Sequence, residues 1–169
     1  MSHYNLVDGS EVLSEHDIAE VLYNKLESTE LISVYSEKTF SGVSIKCFDE
    51  KENRVTLSES SGLYLIYKKG DFNQYECIYS GAGNIRYRIY RFMKELHDMS
   101  RDDENHSGAK KARRFGLDRE GPLYVRYMLQ GERDSVVVNM LCKHLRLKNI
   151  DEHIAHICKA RFNKRIKKL

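Results

Sequence analysis

A chain of 169 residues with a net charge of +3 is long enough for one domain whose core needs no disulfides. Its start, Met1–Tyr4, lacks a signal-peptide core, and no apolar run is long enough to cross a membrane. We therefore expect a cytoplasmic protein without membrane contact. The four scattered cysteines include no Cys-x-x-Cys pair, which favours reduced thiols over a disulfide scaffold.

The charge is distributed unevenly along the chain. Residues 1–60 hold 5 lysines and arginines against 12 acidic residues, while residues 61–169 hold 23 against 13. A basic body favours a polyanionic partner, because phosphate contacts release counterions and dominate nucleic-acid affinity. A solvated surface of mixed charge is the common alternative, and charge alone does not separate the two.

Residues 1–60 predict a helix followed by two short strands. Ser14 has the side chain of an N-cap, and apolar residues follow at helical spacing, namely Ile18, Val21, Leu22 and Leu26. Strand-like pieces come at 43–48 and 54–57, on either side of a polar turn. We expect these residues to form an acidic N-terminal α/β extension, distinct from a body at 61–169.

The body begins with a predicted hairpin and a helix. Leu63–Tyr67 and Tyr75–Tyr79 are typical of paired strands. The glycine-rich stretch Gly81–Asn84 predicts a tight turn, which either exposes backbone N–H groups to an anion or simply connects strand and helix. Asn84 has the side chain of an N-cap. The apolar stripe of the helix that follows is Ile85, Ile89, Phe92 and Leu96.

The rest of the body predicts more helices and one strand. A basic helix at Lys110–Arg114 falls in an insert at about 97–120, and a third strand follows at Leu123–Leu129. Two last helices are expected at Ser135–Leu147 and Ile150–Phe162, with a break near 148–149. The predicted fold is α+β, with a small three-stranded antiparallel sheet flanked by helices.

A few residues carry groups that suit phosphodiester hydrolysis, which needs an activated water and stabilisation of charge on the phosphate. Tyr64 and Tyr79 lie on neighbouring strands of the predicted hairpin, and a nearby cation lowers the pKa of a phenol. Arg88 lies one turn into the next helix, where its guanidinium can bind a phosphate through two hydrogen bonds. Glu152 offers the hard oxygen ligand that magnesium prefers.

Each of these residues also has an ordinary structural interpretation, which is the more common one when a residue is taken singly. The chain has 11 tyrosines, and aromatic residues favour strands. Arg86 and Arg91 flank Arg88, so any of the three is a candidate surface charge. Asp151 and Glu152 suit the first turn of a helix, where carboxylates favour the helix dipole.

Taken together, the segments resemble the GIY-YIG nuclease superfamily. Gly62-Leu63-Tyr64 corresponds to the Gly-Ile-Tyr element, and Ile78-Tyr79-Ser80-Gly81 to the Tyr-Ile-Gly element, with serine in place of isoleucine. Asn84 precedes Arg88 by four residues, as an asparagine or aspartate does in that family. The segment from Glu152 to Phe162-Asn163 is similar to the family's metal-binding segment.

The resemblance implies a role for each matched residue. Tyr64 would be the general base or would position the attacking water, and Tyr79 would hydrogen-bond the water or the phosphate. Arg88 would stabilise the charge that develops on the phosphate. Glu152 would hold one Mg²⁺ or Mn²⁺ ion, and Asn163 would support the site.

The chain departs from the family pattern after the arginine. Phe92 stands where a histidine or tyrosine is usual, four residues after Arg88, and it carries no exchangeable proton. A register two residues earlier would pair Arg86 with Tyr90, but it would lose the asparagine spacing. We therefore prefer Arg88 as the catalytic arginine.

The insert supplies two further candidates, because restriction enzymes of this superfamily elaborate the core in such places. Lys110 and His106 are the residues that would join the site. The alternatives for both are contact with the DNA backbone or a place on the plain surface.

The sequence thus predicts a metal-dependent endonuclease that acts on double-stranded DNA, of the kind found among small Type II restriction and mobile-element enzymes. Cutting two strands favours a homodimer or sequential nicking. Lys110–Arg114 and 161–168 would contact backbone phosphates. Two alternatives stay open: a catalytically inactive nucleic-acid-binding protein of the same fold, motivated by Phe92, and a protein-interaction adaptor.

Overall fold

The computed structural model describes residues 15–97, 107–119, 121–130 and 147–160, which form four α-helices, six strands and one 3-10 turn at Asp71–Asn73. The helices are α1 (Glu15–Glu27), α2 (Ile85–His97), α3 (Ser107–Arg114) and α4 (Leu147–Ile157). The strands are β1 (Ile32–Thr39), β2 (Gly42–Phe48), β3 (Arg54–Val55), β4 (Ser61–Lys69), β5 (Tyr75–Asn84) and β6 (Leu123–Leu129). No helix within these ranges combines the length and apolarity that crossing a membrane requires.

The six strands form one antiparallel sheet in the order β3-β2-β1-β6-β4-β5. The predicted three-stranded sheet is therefore wrong, although the α+β class is right. The error comes from β1, which the sequence analysis missed and which pairs with β2 on one side and, through Ile32–Val34, with Leu123–Val125 of β6 on the other. The predicted boundary near residue 60 stays a prediction, and hydrogen bonds between β1 and β6 connect its two sides.

Helices cover both faces of the sheet. On one face α2 and α3 pack over a core that includes Tyr64 and Ile66 of β4. On the other face α1 and α4 pack over Leu63, Leu65 and Tyr67 of the same strand. Successive side chains of a strand point to opposite faces, so β4 is buried on both sides and holds its residues rigidly.

The predicted hairpin is confirmed, since β4 and β5 pair along their length with a bulge between Ile66 and Tyr67. However, β5 is longer than expected and reaches Asn84, so the predicted glycine-rich turn is part of the strand. Asn84 caps α2 as predicted, because its Oδ1 accepts a hydrogen bond of 3.0 Å from the Tyr87 N–H.

The start of α2 is not open to an anion. The Ile85 N–H donates to the Ser60 carbonyl at 3.1 Å, and the Arg86 N–H donates to the Ser58 carbonyl at 2.9 Å. These first N–H groups, which a helix leaves without internal partners, are satisfied by the segment that precedes β4. The glycine-rich stretch is therefore the end of β5, and the first N–H groups of α2 are not available to an anion.

The last helix differs from the prediction at both ends. The expected break at 148–149 is wrong, because α4 begins at Leu147 and continues through it. The helix ends at Ile157, where Lys159 adopts a φ of 54° and the Ala160 N–H donates to the Ala155 carbonyl at 2.8 Å. Five predicted features lie outside the described residues, namely the Ser14 cap, the helix at 135–146, His106, Asn163 and the phosphate contact at 161–168.

Candidate functional site

Tyr64 and Tyr79 lie side by side on β4 and β5, on the sheet face that α2 covers. Their ring centroids are 6.2 Å apart and their planes meet at 31°. Tyr64 is 1% exposed, whereas Tyr79 is half-buried. The hairpin thus brings the two phenols together as the sequence predicted, with Tyr79 the more accessible of the pair.

Gly81 makes room for the phenol of Tyr64. The two residues are opposite one another in the β4–β5 ladder. A Cβ on Gly81 would lie 2.9 Å from Cε1 of Tyr64 and would collide with its Cζ and hydroxyl oxygen. The buried ring cannot move away, so the absence of a side chain at Gly81 is a packing requirement of Tyr64.

The side chain of Arg88 extends from α2 to Gly83, near the end of β5. Gly83 has a φ of +129°, and a Cβ there would lie 2.8 Å from Nε of Arg88. The positive charge of Arg88 lowers the pKa values of Tyr64, Tyr79 and Asp151, although burial outweighs this effect at each of them. Arg88 is exposed, so its guanidinium is accessible to a phosphate.

The alternative arginine has a different environment. Arg86 forms an exposed ion pair with Glu59, with 2.8 Å between Nη1 and Oε1. Tyr90 is the partner of Arg86 in the alternative register. Its hydroxyl lies next to Gly42, the first residue of β2, where a Cβ would be 3.2 Å from the hydroxyl oxygen. The geometry therefore favours Arg88, which neighbours the tyrosines.

Asp151 is the carboxylate whose charge acts on both tyrosines, since it raises the pKa values of Tyr64 and Tyr79. Among the described residues its buried Oδ1 has no hydrogen-bond partner. Burial, and then the charge of Glu152, raise the pKa of Asp151 to about 7. A buried carboxylate oxygen of this kind suits a cation or a hydrogen-bond donor on a ligand.

Glu152, the metal ligand that the resemblance implies, is exposed on α4 next to Asp151. Consecutive residues on a helix point about 100° apart, so the two carboxylates face different directions. From the sequence, Asp151 suits the first turn of a helix, because motif spacing does not reveal which carboxylate faces β5. Only the packing of α4 against β5 identifies Asp151 as a neighbour of the tyrosines.

Burial keeps both phenols neutral at neutral pH. It is the largest effect on each, raising the pKa of Tyr64 well above its ordinary value and that of Tyr79 to about 12. Neutral phenols donate hydrogen bonds and do not accept protons from water. The arrangement therefore favours positioning of water or phosphate over a general-base role for Tyr64.

Phe92 lies behind Tyr79 in the core. It is 0% exposed, and its ring centroid is 5.4 Å from that of Tyr79. The resemblance leads us to expect a proton-bearing side chain at this position. The phenyl ring instead supports Tyr79 by packing.

Lys110 lies half-buried on α3, which packs against α2. The neighbouring Arg113 donates from Nη1 to the Glu95 carbonyl at 3.0 Å, so α3 contacts the second half of α2. Glu95 is seven residues from Arg88, roughly 10 Å along the helix axis. A role for Lys110 in the site stays a prediction.

The described part of the chain contains no cluster of three or more His, Cys, Asp and Glu side chains suited to a metal ion. Asp151 and Glu152 are adjacent in sequence but face different directions, and Mg²⁺ often binds through a single carboxylate together with phosphate and water oxygens. The residues present therefore suit an ion that takes most of its ligands from a phosphate substrate and water. They do not suit an ion that is enclosed by protein ligands alone.

No protein-family model matches the chain, and comparisons with curated proteins and with solved structures found no significant match. The resemblance to the GIY-YIG superfamily therefore depends on the residues of this chain and on their arrangement alone.

Proposed function

We propose that the protein is a metal-dependent DNA endonuclease that hydrolyses phosphodiester bonds. One observation carries the proposal: Tyr64, Tyr79, Arg88 and Asp151 come from four different elements, and the charges of Arg88 and Asp151 both act on the pKa values of the two tyrosines, whose rings are 6.2 Å apart. Groups with perturbed pKa values that meet in one place are typical of catalytic sites. Two phenols, a guanidinium and a carboxylate are also the groups that phosphodiester hydrolysis uses.

In the proposed reaction the exposed guanidinium of Arg88 binds the non-bridging oxygens of the scissile phosphate and stabilises their growing charge. The half-buried Tyr79 donates a hydrogen bond to the phosphate or to the attacking water. The buried Tyr64 packs beside Tyr79 and helps to fix the orientation of its ring. Either Asp151 or Glu152 would hold one Mg²⁺ or Mn²⁺ ion, which would supply charge stabilisation and lower the pKa of bound water.

Double-stranded DNA is the proposed substrate, and the basic helix α3 is the proposed backbone contact. Its sequence, SGAKKARR, has four cations, while Ala109 and Ala112 form its buried side. Cations in this arrangement bind phosphates without reading sequence. We propose that the enzyme acts in the cytoplasm as a homodimer or by sequential nicking, as a small Type II restriction or mobile-element enzyme would.

The direct test is incubation of purified full-length protein with supercoiled plasmid and Mg²⁺ or Mn²⁺. We expect nicked and linear products from the wild type, and loss of both with Arg88→Ala and with Asp151→Asn. Arg86→Ala is the matched control, because its side chain pairs with Glu59 away from the tyrosines. Absence of cleavage with every divalent cation, or equal cleavage by all variants, would contradict the proposal.

A comparison of Asp151→Asn with Glu152→Gln then identifies the carboxylate that binds the ion. The variant that lacks the ligand requires a higher Mg²⁺ concentration for the same cleavage rate. Sequencing of the cleaved ends separates a site-specific enzyme, which gives unique ends, from a non-specific one, which gives scattered ends.

A second candidate function is nucleic-acid binding without cleavage. The packing of Phe92 against Tyr79 favours it, because an apolar ring occupies the position where a proton-bearing side chain is expected. This alternative predicts salt-sensitive DNA binding that needs no divalent ion and leaves the plasmid intact.

A further inference from the structure

Cys77 and Cys158 are in contact although 81 residues separate them along the chain. Their Sγ atoms are 3.0 Å apart, about 1 Å longer than a disulfide bond of roughly 2.05 Å. Cys77 lies on β5, and Cys158 lies just after the last residue of α4. The contact therefore joins the edge strand that carries Tyr79 to the helix that carries Asp151.

The surroundings of the two thiols differ. Cys77 is 8% exposed within the core under α1 and α4, while Cys158 is half-buried and more accessible. Each thiol also has a backbone acceptor, since Cys77 Sγ lies 3.8 Å from the Tyr79 carbonyl and Cys158 Sγ lies 3.7 Å from that of Ala155. Cys47, the other cysteine of the described ranges, belongs to the core on the opposite face.

We propose that Cys77 and Cys158 are an oxidisable thiol pair that forms a disulfide in the presence of a peroxide. The Cys158 thiolate attacks one peroxide oxygen and becomes a sulfenic acid, with release of hydroxide. The Cys77 thiolate then attacks the Cys158 sulfur, and a second hydroxide leaves. Two thiols and one hydrogen peroxide thus give one disulfide and two waters.

The two thiols differ in accessibility and in pKa, and these differences indicate which thiol attacks the peroxide and which attacks the sulfenic acid. Cys158 is the thiol that a peroxide reaches from solvent. The hydrogen bond to Cys158, followed by burial, raises the pKa of Cys77, which disfavours Cys77 as the thiolate that attacks the peroxide first. The initiating and resolving cysteines are therefore Cys158 and Cys77.

The disulfide would fix the position of α4 on β5. Cys77 is two residues from Tyr79, and Cys158 is seven residues, about two helical turns, beyond Asp151. In the reduced protein the end of α4 is held by packing, with Ile154 in the core below α1. Oxidation adds a covalent link between the two elements that carry half of the candidate site. This consequence rests on the proposed nuclease function, whereas formation of the disulfide does not.

The test begins with the reduced, full-length wild type. After treatment with hydrogen peroxide and digestion under non-reducing conditions, we expect a Cys77–Cys158 cross-linked peptide that dithiothreitol removes. The midpoint of thermal unfolding should rise by at least about 4 °C on oxidation. Cys158→Ser should abolish both effects, and Cys47→Ser is the matched control that should retain them.

The cross-linked peptide is measured in the wild type, so it tests the proposed disulfide even where a variant does not fold. Absence of the cross-linked peptide, or conversion of Cys158 to a sulfinic acid in its place, overturns the proposal. Neither measurement uses DNA. A cross-linked peptide in a protein that cleaves no DNA would therefore overturn the proposed nuclease function and support the thiol pair.

Discussion

The ring of Phe92 packs against the ring of Tyr79, with 5.4 Å between the centroids and 46° between the planes. Phe92 also contributes to the core that α2 forms with the sheet. A residue that motif spacing assigns to a catalytic position is thus a structural support for one of the two tyrosines. In the proposed reaction Phe92 would act through the placement of Tyr79 and not through a proton.

Truncation of Phe92 should destabilise the protein strongly. We expect Phe92→Ala to lower the free energy of unfolding by about 3–5 kcal/mol, because it leaves a cavity in a closed core. Phe92→Leu should lower it by less than about 1.5 kcal/mol. Tyr90→Ala is the control on the same helix, since Tyr90 is 39% exposed, and it should stay within about 0.5 kcal/mol. Urea unfolding measures all three, and equal values for Phe92→Ala and Tyr90→Ala would contradict the packing.

A methyl group at Gly81 should displace the phenol of Tyr64. Gly81→Ala introduces a Cβ that collides with a ring held on every side, so we expect a loss of about 1–3 kcal/mol of stability. Gly70→Ala is the matched control, because its nearest obstacle is the Gln74 carbonyl at 3.4 Å and its φ of −94° suits any residue. Thermal unfolding distinguishes the two variants. A Gly81→Ala protein as stable as Gly70→Ala would show that the ring has room to move.

Replacement of the guanidinium tests which arginine binds phosphate. Arg88→Lys keeps the charge but removes the planar fork, and we expect cleavage to fall by roughly 10²-fold, as for the loss of one preorganised donor. Arg86→Lys should retain the wild-type rate within a few-fold, because Arg86 pairs with Glu59. Single-turnover cleavage of plasmid DNA gives the rates. A larger loss with Arg86→Lys would assign the role to the earlier register.

Acidification should weaken the fold through His97. His97 Nε2 lies 2.8 Å from the Ser36 hydroxyl, between the end of α2 and β1. Burial, and to a smaller extent Lys38, lower its pKa below the ordinary 6.5, while Asp118 acts in the opposite direction. The unfolded chain therefore takes up the proton first, and stability present above pH 6.5 is lost as the pH falls below it.

The measurement is the free energy of unfolding of wild type and His97→Gln at pH 7.5 and pH 5. Glutamine does not titrate, so the wild type should lose more stability than the variant between these pH values. Parallel losses in the two proteins would show that His97 is not responsible for the acid sensitivity.

Elements with a strong local pattern were predicted from the sequence. The apolar spacing of α2, its cap at Asn84 and the hairpin of β4 and β5 were correct, because each depends on residues close together in the chain. The strand β1 was missed, since its sequence ISVYSEKT becomes polar and exposed towards its end. Its first residues, Ile32-Ser33-Val34, nevertheless alternate between apolar and polar side chains, which is the sequence signal that would have revealed it.

The sequence by itself therefore determined the local elements and the placement of Tyr64 and Tyr79 on neighbouring strands, because strands joined by a short connection pair with each other. The tertiary structure alone decided three other features: the joining of β1 to β6, the choice of Asp151 as the carboxylate beside the tyrosines, and the contact of Cys77 with Cys158. Each depends on packing between segments far apart in the chain, and no periodicity or motif spacing encodes which side chains such packing brings together.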